Sequence, residues 1–258
     1  DQSASAFGTL AITGANVAVT ENAAMDLGAS TISGTASFNS TSNAITDSGT
    51  LAITGATTLN SGSADITLNE AASTFGTLAI TGTNVAVTEN AAMDLGASTI
   101  SGTASFNSSN NAITDSGTLA ITGVTTLNSG SADLTLDEAA STFGALAITG
   151  ANVAVTENAA VDLGSSMVSG TLGITSSGAV TSSGTSTITG AVTISAPGQA
   201  VTLTNADSIF GDFSVNAKDV YIKESGLFTS TNITAETVQV SATDGVSVIS
   251  TGDGLQLA

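Results

Sequence analysis

With 21 acidic residues against two lysines, no arginine and no histidine, the 258-residue chain carries a formal net charge of −19 and has almost nothing with which to neutralise phosphate. Nucleic-acid binding and anchoring on anionic membranes are therefore not expected. Cysteine is absent as well, which excludes disulfides and thiol chemistry, and without histidine the usual zinc sites cannot be assembled.

Apolar residues make up 41% of the chain and aromatic ones only 3%, so a core must be built from Ile, Val, Leu and Ala, with Ser, Thr and 28 Gly completing a strand-and-turn vocabulary. No apolar run approaches the ~18 residues of a membrane span. A single proline, Pro197, excludes a collagen or polyproline reading.

The first recurring stretch is Leu10-Ala11-Ile12-Thr13-Gly14. Its Ile/Val-Thr/Ser-Gly triplet returns at Ile32, Ile53, Ile80, Ile100, Ile121, Ile148, Val168 and Ile188, at intervals of 20, 21, 27, 20, 21, 27, 20 and 20 residues. Units of this size cannot bury a core alone, so the spacing predicts stacked coils. A second, 68-residue period lies above the first, set by Phe7, Phe75 and Phe143 with nearly identical sequence between them. The expectation is an all-β parallel solenoid with three strands per coil, about 20–21 residues per coil and a 27-residue coil every third turn.

Within the coils, Leu10, Ile12, Val17, Val19, Met25 and Leu27 alternate with alanine or polar residues, as do Phe38, Ile45, Leu51, Leu59, Ile66 and Leu68. Like residues are expected to stack, including a column of Met25, Ile45, Ile66, Met93, Ile113, Leu134, Val161 and Val201 with Thr181 as the one exception. The glycines at 14, 34, 55, 82, 102, 123, 150, 170, 190 and 211 are predicted to be corners where φ is positive or side-chain room is missing. The extra residues Glu70–Gly76 are read as a fourth side or a loop, with Phe75, Phe7 and Phe143 lidding an apolar edge.

After Pro197 the pattern loosens, and Phe210, Phe213, Tyr221 and Phe228 gather near both lysines. The expected organisation is a regular solenoid over 1–190 and a divergent continuation over 191–258. Neither end reads as a cap, so the chain is expected to be a piece of a longer repeat protein that associates end to end or with further repeats.

Catalytic chemistry finds little to stand on. The carboxylates Glu21, Asp26, Asp47, Asp65 and Glu70 return at Glu89, Asp94, Asp115, Asp133 and Glu138, and a catalytic pair is not usually copied along with its scaffold. The chain is read as no enzyme, with no catalytic, cofactor-binding or metal-ligating residue assigned and no cofactor beyond weak binding of divalent cations to its acidic coat. The column Thr13, Ser33, Thr54, Thr81, Ser101, Thr122, Thr149, Ser169 and Thr189 gives the alternative reading, a ligand-binding face for ice or carbohydrate. Its partner column, Ala11, Thr31, Ala52, Ala79, Thr99, Ala120 and Ala147, is mostly alanine, which leaves that array incomplete.

The runs Asn16-Val17-Ala18-Val19-Thr20, Ala44-Ile45-Thr46-Asp47-Ser48-Gly49-Thr50-Leu51 and Ser63-Ala64-Asp65-Ile66-Thr67-Leu68-Asn69 resemble the repeats of giant bacterial surface proteins related to filamentous haemagglutinin. The resemblance covers residues 1 to 190. It implies a right-handed parallel β-helix, exported to the cell surface and used in adhesion, cell contact or fibre formation. The expected function is that of a structural and interaction protein, an extended extracellular stalk or fibre segment of a bacterial adhesin. Its partners would be a host or neighbouring cell surface or a polysaccharide, without nucleic acid or membrane insertion.

Overall fold

A computed structural model describes residues 5–248 and the strand Leu255–Leu257. The described residues form strands and turns without a helix, so none of them makes a helix long and apolar enough to cross a membrane. The chain is an all-β parallel solenoid that divides into two units, 1–130 and 131–258.

In the first unit the strands follow from alternation. Along Met25–Leu27 and Leu51–Ile53 the outer residues of each triplet are buried and the middle one reaches outward, the pattern of a strand with one face on the core. Coil upon coil, Met25 stands under Ile45 and Ile45 under Ile66. Phe38 stands under Leu59 and Ile32 under Ile53. Leu27, Ile45, Leu59 and Ile66 are wholly inaccessible to solvent. Fully burying such a side chain contributes about 1.5–3 kcal/mol before entropy is subtracted.

Turns are set by asparagine. Thr41 and Ser42 adopt positive φ (49° and 67°), and Asn39 Oδ1 accepts the Thr41 N–H at 3.1 Å. One coil later Gly62 takes φ 58° with its N–H on Asn60 Oδ1 at 2.9 Å. Gly takes this conformation freely, Thr41 and Ser42 are held in it by the turn, and the Asn side chain mimics a backbone turn. Serine serves inside: the buried Ser30 Oγ accepts the Ile12 N–H at 3.0 Å and donates to Gly28 O at 2.8 Å. Ser98 repeats the arrangement with Ile80 at 3.0 Å.

The register corrects the expected 27-residue coil. Ile53 does not stand under Ile80: Ala52 bridges to Thr74, and Ile80 rests on Leu59. Glu70–Gly76 is therefore no fourth side. Its Thr74 N–H donates to Leu51 O at 2.8 Å and its carbonyl accepts from Ile53 N at 2.9 Å, so the segment is itself a side of the next coil. A 68-residue repeat thus comprises three coils and part of a fourth, and its copy begins on a different side. Val17 stands under Ala36, Thr57 and then Leu78, whereas its copy Val85 stands on Ile66, in the column that Met25 begins. The predicted succession from Ile66 to Met93 is replaced by Ile66 to Val85.

Corner glycines are explained by room and not by φ, since positive-φ glycines occur at 62, 130, 198 and 245. A Cβ on Gly55 would lie 2.6 Å from the Gly34 carbonyl oxygen, and one on Gly123 would lie 2.5 Å from that of Gly102. Successive coils pack backbone on backbone at these points.

The second unit is built on the same rules. Val161, Val180, Val201, Val220 and Val238 form one buried column. The anticipated exception at Thr181 disappears because Val180 occupies the inward place. Two strands, Val192–Leu203 and Phe213–Glu224, run for 12 residues each, and their register shifts between Ala196 and Ala200, where Gly198 has φ 76°. Phe213 packs edge-on to Phe210 at 5.3 Å and tilted against Phe228 at 5.6 Å. All three rings are buried. This part of the aromatic group is a bulkier core, and Tyr221 is not in it.

Candidate functional site

The repeat buries an ionisable group. Glu21, Glu89, Glu157 and Glu224 are almost wholly inaccessible, between 0% and 3% exposed. In each case a phenylalanine 14 residues earlier donates its backbone N–H to one carboxyl oxygen: Phe7 at 2.8 Å, Phe75 at 2.9 Å, Phe143 at 3.0 Å and Phe210 at 3.1 Å. The other oxygen of each glutamate is buried without a hydrogen-bond partner. Phe75 and Phe143 are buried beside their carboxyls, as the lid reading requires, but Phe7 is half exposed.

A carboxylate held out of water without a counter-charge favours its neutral form. Burial pushes Glu89 up to about 8, against the lowering effect of the Phe75 N–H bond. Burial likewise raises Glu157 to about 7, against the lowering effect of the Phe143 N–H bond. Glu224 is shifted upward by burial against the Phe210 bond. Composition alone assigns these residues to an acidic coat. The signal that marks them is the constant Phe-to-Glu spacing, which persists at Phe210 and Glu224 beyond the clear repeats.

The remaining sequence candidates stay apart, and all but the buried Asp115 reach the surface. Asp26 accepts from Thr9 Oγ1 at 2.6 Å and Ser48 Oγ at 2.8 Å. Asp94 accepts from Thr77 at 2.7 Å and Ser116 at 2.9 Å. Asp47 takes the N–H groups of Asn69 and Glu70 at 2.8 and 3.2 Å. Hydroxyls and amides from adjacent coils thus hold these carboxylates in place. Among the described residues no three acidic side chains gather as a metal-ligand group.

The Thr/Ser column is corrected by the register. Thr13 stands under Thr31 and not Ser33, and Thr31 stands under Ala52. Thr81 likewise stands under Thr99, which stands under Ala120. The column is therefore broken between the first and second triplets of each copy, while Ile32 under Ile53 and Ile100 under Ile121 keep the triplets in one row.

Two clefts open on the second unit. One of about 350 Å³ runs past Thr156, Asn158, Thr175, Ser177 and Ser195 to Pro197, beside Glu157. The other, of about 370 Å³, is lined by Thr202, Thr204, Tyr221, Lys223, Gln239 and Ser241.

Three successive stretches, 4–81, 82–149 and 150–216, match a family described as repeats of unknown function, DUF5649. The second and third boundaries follow the 68-residue period, and the third match runs past residue 190. No curated protein and no solved structure matches the chain.

Proposed function

We propose that this chain, which belongs to the DUF5649 family of repeats of unknown function, is a segment of an extended extracellular stalk or fibre of a bacterial surface adhesin. The observation that carries this reading is the register at the repeat boundary. When a new 68-residue copy starts, its residues change side while the parallel core continues, as Val85 on Ile66 illustrates. Such a repeat conserves the interior and lengthens the solenoid, and the outward groups it copies, Asp26 with Thr9 and Ser48 and then Asp94 with Thr77 and Ser116, change side with it. The likeness of the runs Asn16–Thr20, Ala44–Leu51 and Ser63–Asn69 to filamentous haemagglutinin repeats supports the cell-surface setting.

The testing experiment is a length series. Chains with one, two and three copies of the repeat, measured by small-angle X-ray scattering, should lengthen by roughly 16 Å per copy at about 4.8 Å per coil. A maximum dimension that does not grow with copy number removes the stalk reading. Antibody labelling of intact cells producing the parent protein tests location, and labelling only after lysis overturns the extracellular assignment.

A further inference from the structure

Tyr221 is the only tyrosine of the chain and Lys223 one of its two lysines. They lie on either side of Ile222 on the strand Phe213–Glu224, and Ile222 is buried, so alternation turns both outward. Pairing sets Thr202 below Tyr221 and Gln239 above it. Ser241 stands above Lys223, and Thr204 completes the cleft of about 370 Å³. Among the described residues no carboxylate lines it, in a chain with 21 acidic residues. One coil below Thr202 the same row holds Thr181. The phenol and the ammonium are therefore departures from a small polar row, and they converge on one concavity.

We propose that this cleft binds an acidic saccharide, with a pyranose ring along Tyr221 and its carboxylate on the Lys223 ammonium. A half-exposed tyrosine offers an apolar ring face and a polar tip. The Thr and Ser hydroxyls and the Gln239 amide both donate and accept, as sugar hydroxyls require. An ammonium bonded to a carboxylate makes the stronger, charge-assisted type of hydrogen bond, and the volume falls within the range of small-molecule sites. The net charge of −19 repels anions at a distance, but at physiological ionic strength that field is screened beyond about 8 Å. Contact chemistry then decides. This site is independent of the stalk reading, and either can fail without the other.

Because tryptophan is absent and Tyr221 is unique, intrinsic tyrosine fluorescence reports on this cleft without a label. The probes are a galacturonic acid trisaccharide and its methyl ester, which keeps the shape and removes the charge. The acid should give a saturable fluorescence change, with the ester about tenfold weaker. Lys223→Gln should make acid and ester bind alike, whereas Lys218→Gln should change nothing. Tyr221→Ala, followed by calorimetry, should abolish binding of both while leaving the circular dichroism melt intact. No saturable change with the acid overturns the proposal, as does equal affinity for the ester in the unaltered protein or equal loss in Lys218→Gln and Lys223→Gln.

Discussion

The backbone N–H of Phe75 donates to Glu89 Oε2 at 2.9 Å, while Glu89 Oε1 lies buried with no partner. One oxygen is satisfied by a main-chain donor and the other by nothing, so the proton resides on the carboxyl at neutral pH, where burial holds it up to about 8.

A pH dependence follows from this pair. The unfolded glutamate ionises near 4.5, and the folded one near 8 for Glu89 and near 7 for Glu157. Between these values the native state binds more protons than the unfolded state, so stability falls as pH rises, by up to about 1.4 kcal/mol per pH unit for each such group. The contribution is complete below about pH 4.5 and is lost on passing through the folded values. Thermal melts between about pH 6 and 8.5 lie clear of ordinary carboxylates. They should show a falling Tm, and Glu89→Gln combined with Glu157→Gln should flatten the slope. An unchanged slope in the double variant would remove these residues as its source.

Close backbone packing predicts a sharp difference between glycines. On Gly55 a Cβ would meet the Gly34 oxygen at 2.6 Å and its carbonyl carbon at 2.7 Å, and neither can rotate away. Gly55→Ala should cost about 1–3 kcal/mol, the usual range for overpacking. Gly226 has nothing within 4 Å of the same position and no positive φ, and Gly226→Ala should stay within about 0.5 kcal/mol. Denaturant midpoints measured side by side decide it, and equal costs would show that inter-coil crowding is not what selects glycine.

Phe213 is wholly buried between Phe210 and Phe228, whereas Tyr221 stands outward on the same strand. Truncating a buried phenylalanine to alanine removes transfer energy and leaves a cavity, together about 3–5 kcal/mol. Phe213→Ala should therefore lower the melting temperature far more than Tyr221→Ala. Comparable shifts would mean that the aromatic core does not stabilise these coils as described.

Much of this was legible in the sequence. Alternation in Met25–Leu27 and Leu51–Ile53 reports a half-buried strand directly, and the 68-residue period of Phe7, Phe75 and Phe143 reports the module. The coil register was not legible at the repeat boundary. The Ile-Thr-Gly triplet marks a local corner, and counting from corner to corner presumes one corner of that type per coil. Thr13 pairs with Thr31 and not with Ser33, and Thr9 pairs with Asp26, so the chain closes a coil without the next triplet lying above the last. Glu89 was hidden for another reason. A carboxylate is assigned to the surface because burying its charge is costly, and only a protonated carboxyl beside the Phe75 N–H makes the interior position tolerable.

The register itself can be tested covalently, because the chain contains no cysteine to interfere. Thr67 pairs with Ala86, and both face outward, half buried. A 27-residue coil would instead set Thr67 beside Asp94. Neighbouring parallel strands lie about 4.8 Å apart, within the Cα separations that a disulfide spans. Thr67→Cys with Ala86→Cys should oxidise readily to an intramolecular bridge, visible as a faster band on non-reducing gels and as a raised melting temperature. Thr67→Cys with Asp94→Cys should remain reduced under the same conditions, because Asp94 pairs with Thr77 below it and Thr114 above it. The opposite pattern would restore the 27-residue coil and with it the stacking of each 68-residue copy on its own kind, so this pair of variants separates the two registers without reference to any other property of the chain.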